Sequence, residues 1–215
     1  MRYEIIKNDF IDVKLPIKPF GFDIHRIYRI IALKEFQVQD RTIKEGEIGG
    51  YISGYHNLDQ DDNSWVFNLG RLIGNAKIKN GCIVQDNASV YHDAQCEHSL
   101  IKNFAKVYGN SIVAESIVSG KSDVRGKSII TKSDIFNSVI IEGNSNIESS
   151  IITDGVYVRD SEISYSDLRD TCEVVNSKIE NCHLRGRTIV RGQQWKHTNK
   201  STDVILNIST GDGEY

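Results

Sequence analysis

A short repeat dominates the middle of this chain and limits what it can fold into. From about residue 76 to Val190, a small residue is followed two positions later by an aliphatic residue, and the unit recurs every five or six residues. A single step of seven separates Ile140 from Ile147. Because strand residues alternate between two faces, the two named residues of a unit point inward and the residue between them points outward. One unit cannot enclose a core, so the chain has to wind and stack on itself.

The residue types show how many units make one turn. Taking every third aliphatic residue separates one column that is mostly valine from two that are mostly isoleucine or leucine, whereas a four-unit turn would mix these types. The valine column contains Val90, Val107, Val124, Ile140, Val158, Val174 and Val190. We therefore predict an all-β solenoid of about eight turns, with three strands and roughly 16–18 residues per turn and a triangular cross-section.

This repeat resembles that of the hexapeptide-repeat family, whose members form a left-handed parallel β-helix of triangular section. The resemblance covers about residues 48–191. Steps of five residues within 160–184 depart from the family pattern and resemble pentapeptide repeats locally. A right-handed triangular helix, as in bactofilins, uses turns of similar length and is the alternative to the favoured left hand.

The segments that lead into the repeat carry a second resemblance. YRIIALKEF, GEIGGYI and NSWV resemble segments of a subset of hexapeptide-repeat proteins found in phages and prophages. This implies a phage-encoded protein, either structural or an inhibitor of a host defence system. Since the ends of a solenoid expose unpaired backbone groups, we expect a cap over residues 1–47, the β-helix over 48–191 and a cap or tail over 192–215.

The composition argues against several classes of function. With 26 basic and 29 acidic residues the net charge is -3, which disfavours nucleic acid as a partner. No run of about 18 apolar residues predicts a membrane span, and the start, MRYEIIKNDF, lacks the pattern of a secretion signal. We therefore expect a cytoplasmic protein, in the host cell if phage-encoded. The four cysteines form no C-x-x-C pair and occupy inward sites, so we expect buried structural thiols and no cofactor.

The best-known enzymes of the hexapeptide-repeat family are acyltransferases and a class of zinc carbonic anhydrases, so the histidines matter. His92 follows an inward aliphatic residue at a corner, where an acyltransferase needs a general base. The chain lacks the family's Gly-rich C-terminal coil and long acceptor-binding loop, so we favour a structural role for His92. His56, His92 and His98 resemble the carbonic anhydrase ligands, but His92 and His98 are one residue too far apart and lie at neighbouring corners. A zinc site would therefore need a second subunit.

Large aliphatic residues at outward positions predict an interface. They lie on all three faces, at Ile83, Leu100, Ile117 and Ile151, at Ile112 and Ile129, and at Val139 and Ile141. Monomers rarely leave such a stripe bare, so we predict a homotrimer or homodimer, or binding to another protein. Cover by the terminal segments is the alternative.

The third face also carries recognition side chains after its inward aliphatic residues: Tyr91, Tyr108, Arg125, Arg159 and Arg191. Tyrosine and arginine are favoured at binding surfaces, and these residues suit a protein or a phosphate-bearing ligand. Solvated ladder residues, with Asp123 and Glu173 pairing the arginines, are the alternative. Together these features predict a non-catalytic, oligomeric binding or scaffold protein; the alternative is an acyl-CoA-dependent acyltransferase with His92 as base.

Overall fold

The structure is a computed structural model that describes residues 1–16 and 20–164, and beyond them residues 167–169, 173–175, 177–180, 183–185, 189–191, 194–196, 199–200 and 205–206. These residues form an all-β fold whose single helical element is a 3₁₀ turn at Tyr55–Asn57. Within the same ranges, no helix has the length and apolar character that crossing a membrane requires.

Parallel strands form three sheets, which the chain visits in the same order in each turn. After a strand at Ile48–Ile52, sheet I contains Arg71–Ile73, Ser89–Tyr91, Lys106–Val107, Asp123–Val124, Ile140–Glu142, Tyr157–Arg159, Glu173–Val175, Ile189–Arg191 and Ile205–Leu206. Sheet II contains Lys77–Lys79, Gln95–Glu97, Ile112–Ala114, Ile129–Thr131, Asn146–Glu148, Glu162–Ser164, Lys178–Glu180 and Gln194–Lys196. Sheet III contains Trp65–Val66, Ile83–Val84, Leu100–Ile101, Ile117–Val118, Asp134–Phe136, Ile151–Thr153, Asp167–Arg169, His183–Arg185 and Asn199–Lys200.

The pairing between successive turns confirms three strands per turn. Val90 pairs in parallel with Val107, and Val107 pairs with Val124. The other two columns pair in the same way, and the inward residues of the three columns are buried from Ile78 to Ile163, as far as the structure describes their burial. The fold is therefore a parallel β-solenoid of about seven turns, close to the predicted number. Its triangular section and left hand stay predictions.

Buried serines occupy many of the small inward sites and connect neighbouring turns. Ser133 Oγ donates a hydrogen bond to the carbonyl of Thr131 at 2.7 Å and accepts one from the N–H of Ser150 at 3.0 Å. Ser116 Oγ accepts in the same way from the N–H of Ser133 at 3.0 Å. A buried hydroxyl without partners is costly, so this ladder explains how a polar residue is accommodated at an inward site.

One stretch of the repeat is in a different register from the predicted one. Val124 pairs with Ile141 rather than with Ile140, and Ile141 pairs in turn with Val158. Val139 therefore fills the small inward site, and both Val139 and Ile141 are 0% exposed. The prediction that these two residues face outward is wrong. The observed register also removes the irregular step, since Ile141 and Ile147 are six residues apart.

The N-terminal region adds two hairpins to the first turns. Strands β1 (Tyr3–Pro16) and β2 (Phe22–Ala32) pair antiparallel, and β2 pairs with the first strand of sheet I. Leu15 and Ile27 of this hairpin form a buried cluster with Tyr51, Ile73 and Tyr91 on the outer side of sheet I.

The second hairpin contains β3 (Phe36–Val38) and β4 (Arg41–Ile43). Its Val38 and Ile43 belong to the main core cluster, and the Phe36 ring contacts the Trp65 ring edge-on with a centroid separation of 5.3 Å.

Past residue 191, three short strands continue the parallel pairing of the preceding turn. Most of the segment predicted as a C-terminal cap or tail, residues 192–215, lies outside the described residues. The three domain boundaries therefore stay predictions.

Candidate binding groove on sheet I

Five successive turns of sheet I place the residue after the inward aliphatic in one line, which we call the sheet I ladder: Tyr91, Tyr108, Arg125, Glu142 and Arg159. The rings of Tyr91 and Tyr108 stack with a centroid separation of 4.5 Å and an interplanar angle of 8°. Parallel in-register pairing brings these side chains together, because equivalent residues of neighbouring turns lie one strand spacing apart.

Hydrogen bonds tie the charged part of the ladder together. Arg125 donates from Nη1 to the Tyr108 hydroxyl at 3.1 Å and from Nε to Glu142 Oε2 at 2.8 Å. Its Nη2 also lies 2.6 Å from the same carboxylate oxygen. The other oxygen, Oε1, accepts a hydrogen bond from the Tyr157 hydroxyl. Arg125 therefore pairs with Glu142, which the predicted register had left out of the ladder, and not with Asp123.

The network changes the acidities of its members. The hydrogen bond from Tyr157, together with those from Arg125, lowers the pKa of Glu142, and the same Tyr157–Glu142 contact raises the pKa of Tyr157. Hydrogen bonds with Tyr108 and then with Glu142 raise the pKa of Arg125. Burial raises the pKa of Tyr91. At neutral pH the ladder therefore holds a fixed arginine–carboxylate pair beside the neutral hydroxyls of Tyr91 and Tyr157.

The connections from sheet I to sheet II form a flat ledge beside the ladder. Gly109, Gly126 and Gly143 stack in successive turns with φ of +76°, +84° and +75°, and His92 and Asp160 take the same left-handed conformation at the two ends. A Cβ on Gly126 would lie 2.6 Å from the carbonyl oxygen of Gly143. At Gly109 and Gly126 the next turn is therefore too close for a side chain, whereas at Gly143 the space is taken by the Asp160 carboxylate.

Ladder and ledge border a groove with a volume of about 910 Å³. Its rim includes Pro16 at the end of β1, and its lining includes His92 at one end and Arg159 and Asp160 at the other. Arg159 Nε lies 3.2 Å from Asp160 Oδ2, and the Arg159 side chain is 55% exposed. The predicted binding residues Tyr91, Tyr108, Arg125 and Arg159 all line this groove. Arg191 pairs with Val175 in the same sheet, but its side chain lies outside the described residues.

The three candidate zinc ligands do not come together in one chain. The His92 ring lies 5.0 Å from that of Tyr91, whereas His98 is exposed at the connection from sheet II to sheet III. His56 Nε2 is 2.8 Å from the carbonyl of Gly74. Among the described residues, no three His, Cys, Asp or Glu side chains are placed to hold a metal ion. Cys82 and Cys96 are buried free thiols, as expected, and a hydrogen bond with Cys82 raises the pKa of Cys96.

The predicted apolar stripe is shorter in the structure. Ile83 is only 2% exposed, because it lies next to Trp65 in the core cluster that the N-terminal hairpins join. Ile83 therefore belongs to the core beside Trp65 and is not part of an exposed stripe. The remaining members stay at the surface, half-buried or exposed: Leu100, Ile112, Ile117, Ile129 and Ile151.

An apolar surface at the end of the first hairpin was not predicted. Phe20 is 94% exposed, and Phe22 and Ile24 of β2 are also exposed. The alternation of polar and apolar residues in β1 and β2 was visible, but only the pairing of Lys14 with Ile24 and of Pro16 with Phe22 shows which residues share the outer face.

Comparison of the chain with protein-family models and with curated proteins finds no match. The groove itself therefore carries the functional argument.

Proposed function

We propose that this chain is a non-catalytic binding or scaffold protein that recognises a partner protein through the sheet I groove. The observation that carries the proposal is the preformed groove, whose polar groups are held by one another. Groups already held in place lose little conformational freedom on binding, which favours affinity. Tyrosine and arginine are also the side chains most enriched at binding hot spots.

Self-association is part of this proposal. Ile112 and Ile129 pair in register on sheet II, and both are exposed at the surface. Exposed aliphatic neighbours in successive turns suit contact with a second copy, as a homotrimer or homodimer. We further propose that the protein is phage-encoded and acts in the host cytoplasm, as a structural protein or an inhibitor of host defence. The phage origin, the host location and these two roles depend only on the resemblance of the segments before the repeat to phage and prophage proteins.

Site-specific photo-crosslinking tests the binding function. A photoreactive amino acid replaces Pro16 at the groove rim or, as the control, Glu148, which is exposed on sheet II. In extract of the native host, we expect a partner crosslinked from position 16 and not from 148. The crosslink should disappear in Arg159→Glu, whose side chain is mostly exposed and so should not disturb folding. Equal crosslinking from both positions, or no effect of Arg159→Glu, would refute the proposal.

An acyltransferase is the second candidate, because His92 lines the groove. One observation argues against it: the His92 ring forms no hydrogen bond with another described side chain, whereas a general base of this kind is normally oriented by a further polar group. A thermal-shift titration with acetyl-CoA separates the candidates, since a ligand that binds only the folded form raises its stability. If acetyl-CoA stabilises the wild type and the His92→Ala variant equally, the ligand binds away from His92. If acetyl-CoA does not stabilise the wild type, the non-catalytic function is supported.

A further inference from the structure

The dimensions of the groove suit one extended polypeptide chain. The ladder spans four steps between turns, or ~19 Å at ~4.8 Å per step. At ~3.3 Å per residue the groove would hold about six residues.

The carboxylates of the groove already have partners. Both oxygens of Glu142 accept hydrogen bonds, from Arg125 and from Tyr157. Asp160 Oδ1 accepts a hydrogen bond from the N–H of Asn144 at 3.0 Å, and Oδ2 faces Arg159. The acceptor groups of the site are therefore largely occupied before any ligand arrives.

Donor groups, in contrast, remain available. The Tyr108 hydroxyl accepts from Arg125 and, like any neutral hydroxyl, still carries one proton of its own that it can donate. Arg159 donates from Nε to Asp160, and its side chain is 55% exposed, so the guanidinium, with five N–H donors in all, is within reach of a ligand in the groove. Both residues line the groove, so a ligand there meets a surface that mainly donates.

The ledge adds backbone donors. At the equivalent connection of an earlier turn, Ser53 Oγ accepts a hydrogen bond from the N–H of Gly74 at 2.9 Å. In the part of the chain that the structure describes, the N–H groups of Gly109, Gly126 and Gly143 have no such acceptor. All three glycines line the groove, so these backbone donors lie beside it.

We propose that the groove binds an extended, acidic segment of about six residues from a partner protein. This inference rests on the proposed function and names the chemistry of the partner. An acidic segment supplies carboxylates and backbone carbonyls, both acceptors, whereas lysine and arginine side chains supply only donors. Hydrogen bonds between arginine and carboxylate are also stronger than neutral ones.

Fluorescence anisotropy with short labelled peptides tests the inference. The probe is a blocked hexapeptide of alternating glutamate and glycine, compared with peptides that carry glutamine or lysine in place of glutamate. We expect the glutamate peptide to bind about tenfold more tightly than the glutamine peptide and to weaken as salt is added. Arg159→Gln should weaken it about tenfold, while Lys132→Gln, which removes the same charge at an exposed position outside the groove, should not.

Several results would overturn the inference. These are equal binding of the glutamine or lysine peptide, equal effects of the two variants, or no binding at millimolar peptide. Full displacement of the peptide by inorganic triphosphate at the same affinity would show a site for small anions and would also overturn it. If the peptide fails but the Arg159-dependent crosslink from position 16 is found, only the acidic chemistry is wrong. If both fail, the proposed function is wrong as well.

Discussion

The glycine ledge can be tested by comparing alanine substitutions at two glycines with nearly the same backbone conformation. Gly126 has φ of +84° and Gly155 has φ of +81°. A Cβ on Gly126 would lie 2.6 Å from the oxygen and 2.9 Å from the nitrogen of Gly143, whereas a Cβ on Gly155 meets nothing within 4 Å. The two substitutions therefore differ mainly in whether the new methyl group collides with the next turn.

The expected costs follow from this difference. Gly155→Ala introduces only left-handed strain, about 1–2 kcal/mol of unfolding free energy. Gly126→Ala carries the same strain and must also push the neighbouring backbone away, which adds ~1–3 kcal/mol by analogy with overpacked cores. Alanine reduces the freedom of the unfolded chain equally at both positions, so this effect cancels in the comparison.

Urea unfolding followed by far-UV circular dichroism measures both free energies, and the slope of each transition shows whether the variants unfold as the wild type does. Gly126→Ala should be less stable than Gly155→Ala by at least ~1 kcal/mol. Equal costs would show that successive turns at the ledge are not closely stacked. In that case the shape of the ledge would lose its structural explanation.

Three further predictions concern the core, the ladder and the surface. Ser133→Ala should cost about 1–3 kcal/mol in urea unfolding, because it removes the hydroxyl that accepts a hydrogen bond from the Ser150 N–H. Ser89→Ala, at a half-buried serine of sheet I outside this ladder, should change little, and equal effects of the two variants would contradict the serine ladder. The lowered pKa of Glu142 contributes stability that is fully present above the unfolded pKa of about 4.3 and is lost as pH falls through the lower folded value. Glu142→Gln should therefore lower the free energy of unfolding at pH 7, and the loss should shrink toward pH 3. If the unfolding free energies of the wild type and the variant differ by the same amount at every pH, this linkage is refuted. Ile129→Asp should lower the mass in light scattering if sheet II carries the self-association, whereas an unchanged oligomer mass would exclude this face.

The groove was only partly predictable. Tyr91, Tyr108, Arg125 and Arg159 follow inward aliphatic residues at the repeat spacing, so their alignment could be read from the residues alone. Glu142 could not be placed in the same way, because Val139, Ile140 and Ile141 are all apolar and alternation fits two registers. The uniform six-residue spacing of the observed register was the signal in the sequence that favoured Ile141.

Contacts between distant segments set the rest of the surface. Ile83 points outward by alternation but is buried beside Trp65, and Tyr91 is covered by a cluster that includes Leu15 and Ile27. Local pattern carries no information about where a hairpin some sixty residues earlier will pack.

The sequence by itself determined that this chain is a parallel β-solenoid with three strands per turn, because side-chain alternation and the repeat length act locally and identically in every unit. Only the tertiary structure decided which outward residues are exposed, which carboxylate completes the ladder and where the groove lies. Those features depend on the register between turns and on hairpin packing, where near-equal local alternatives are resolved by contacts between residues far apart in the chain.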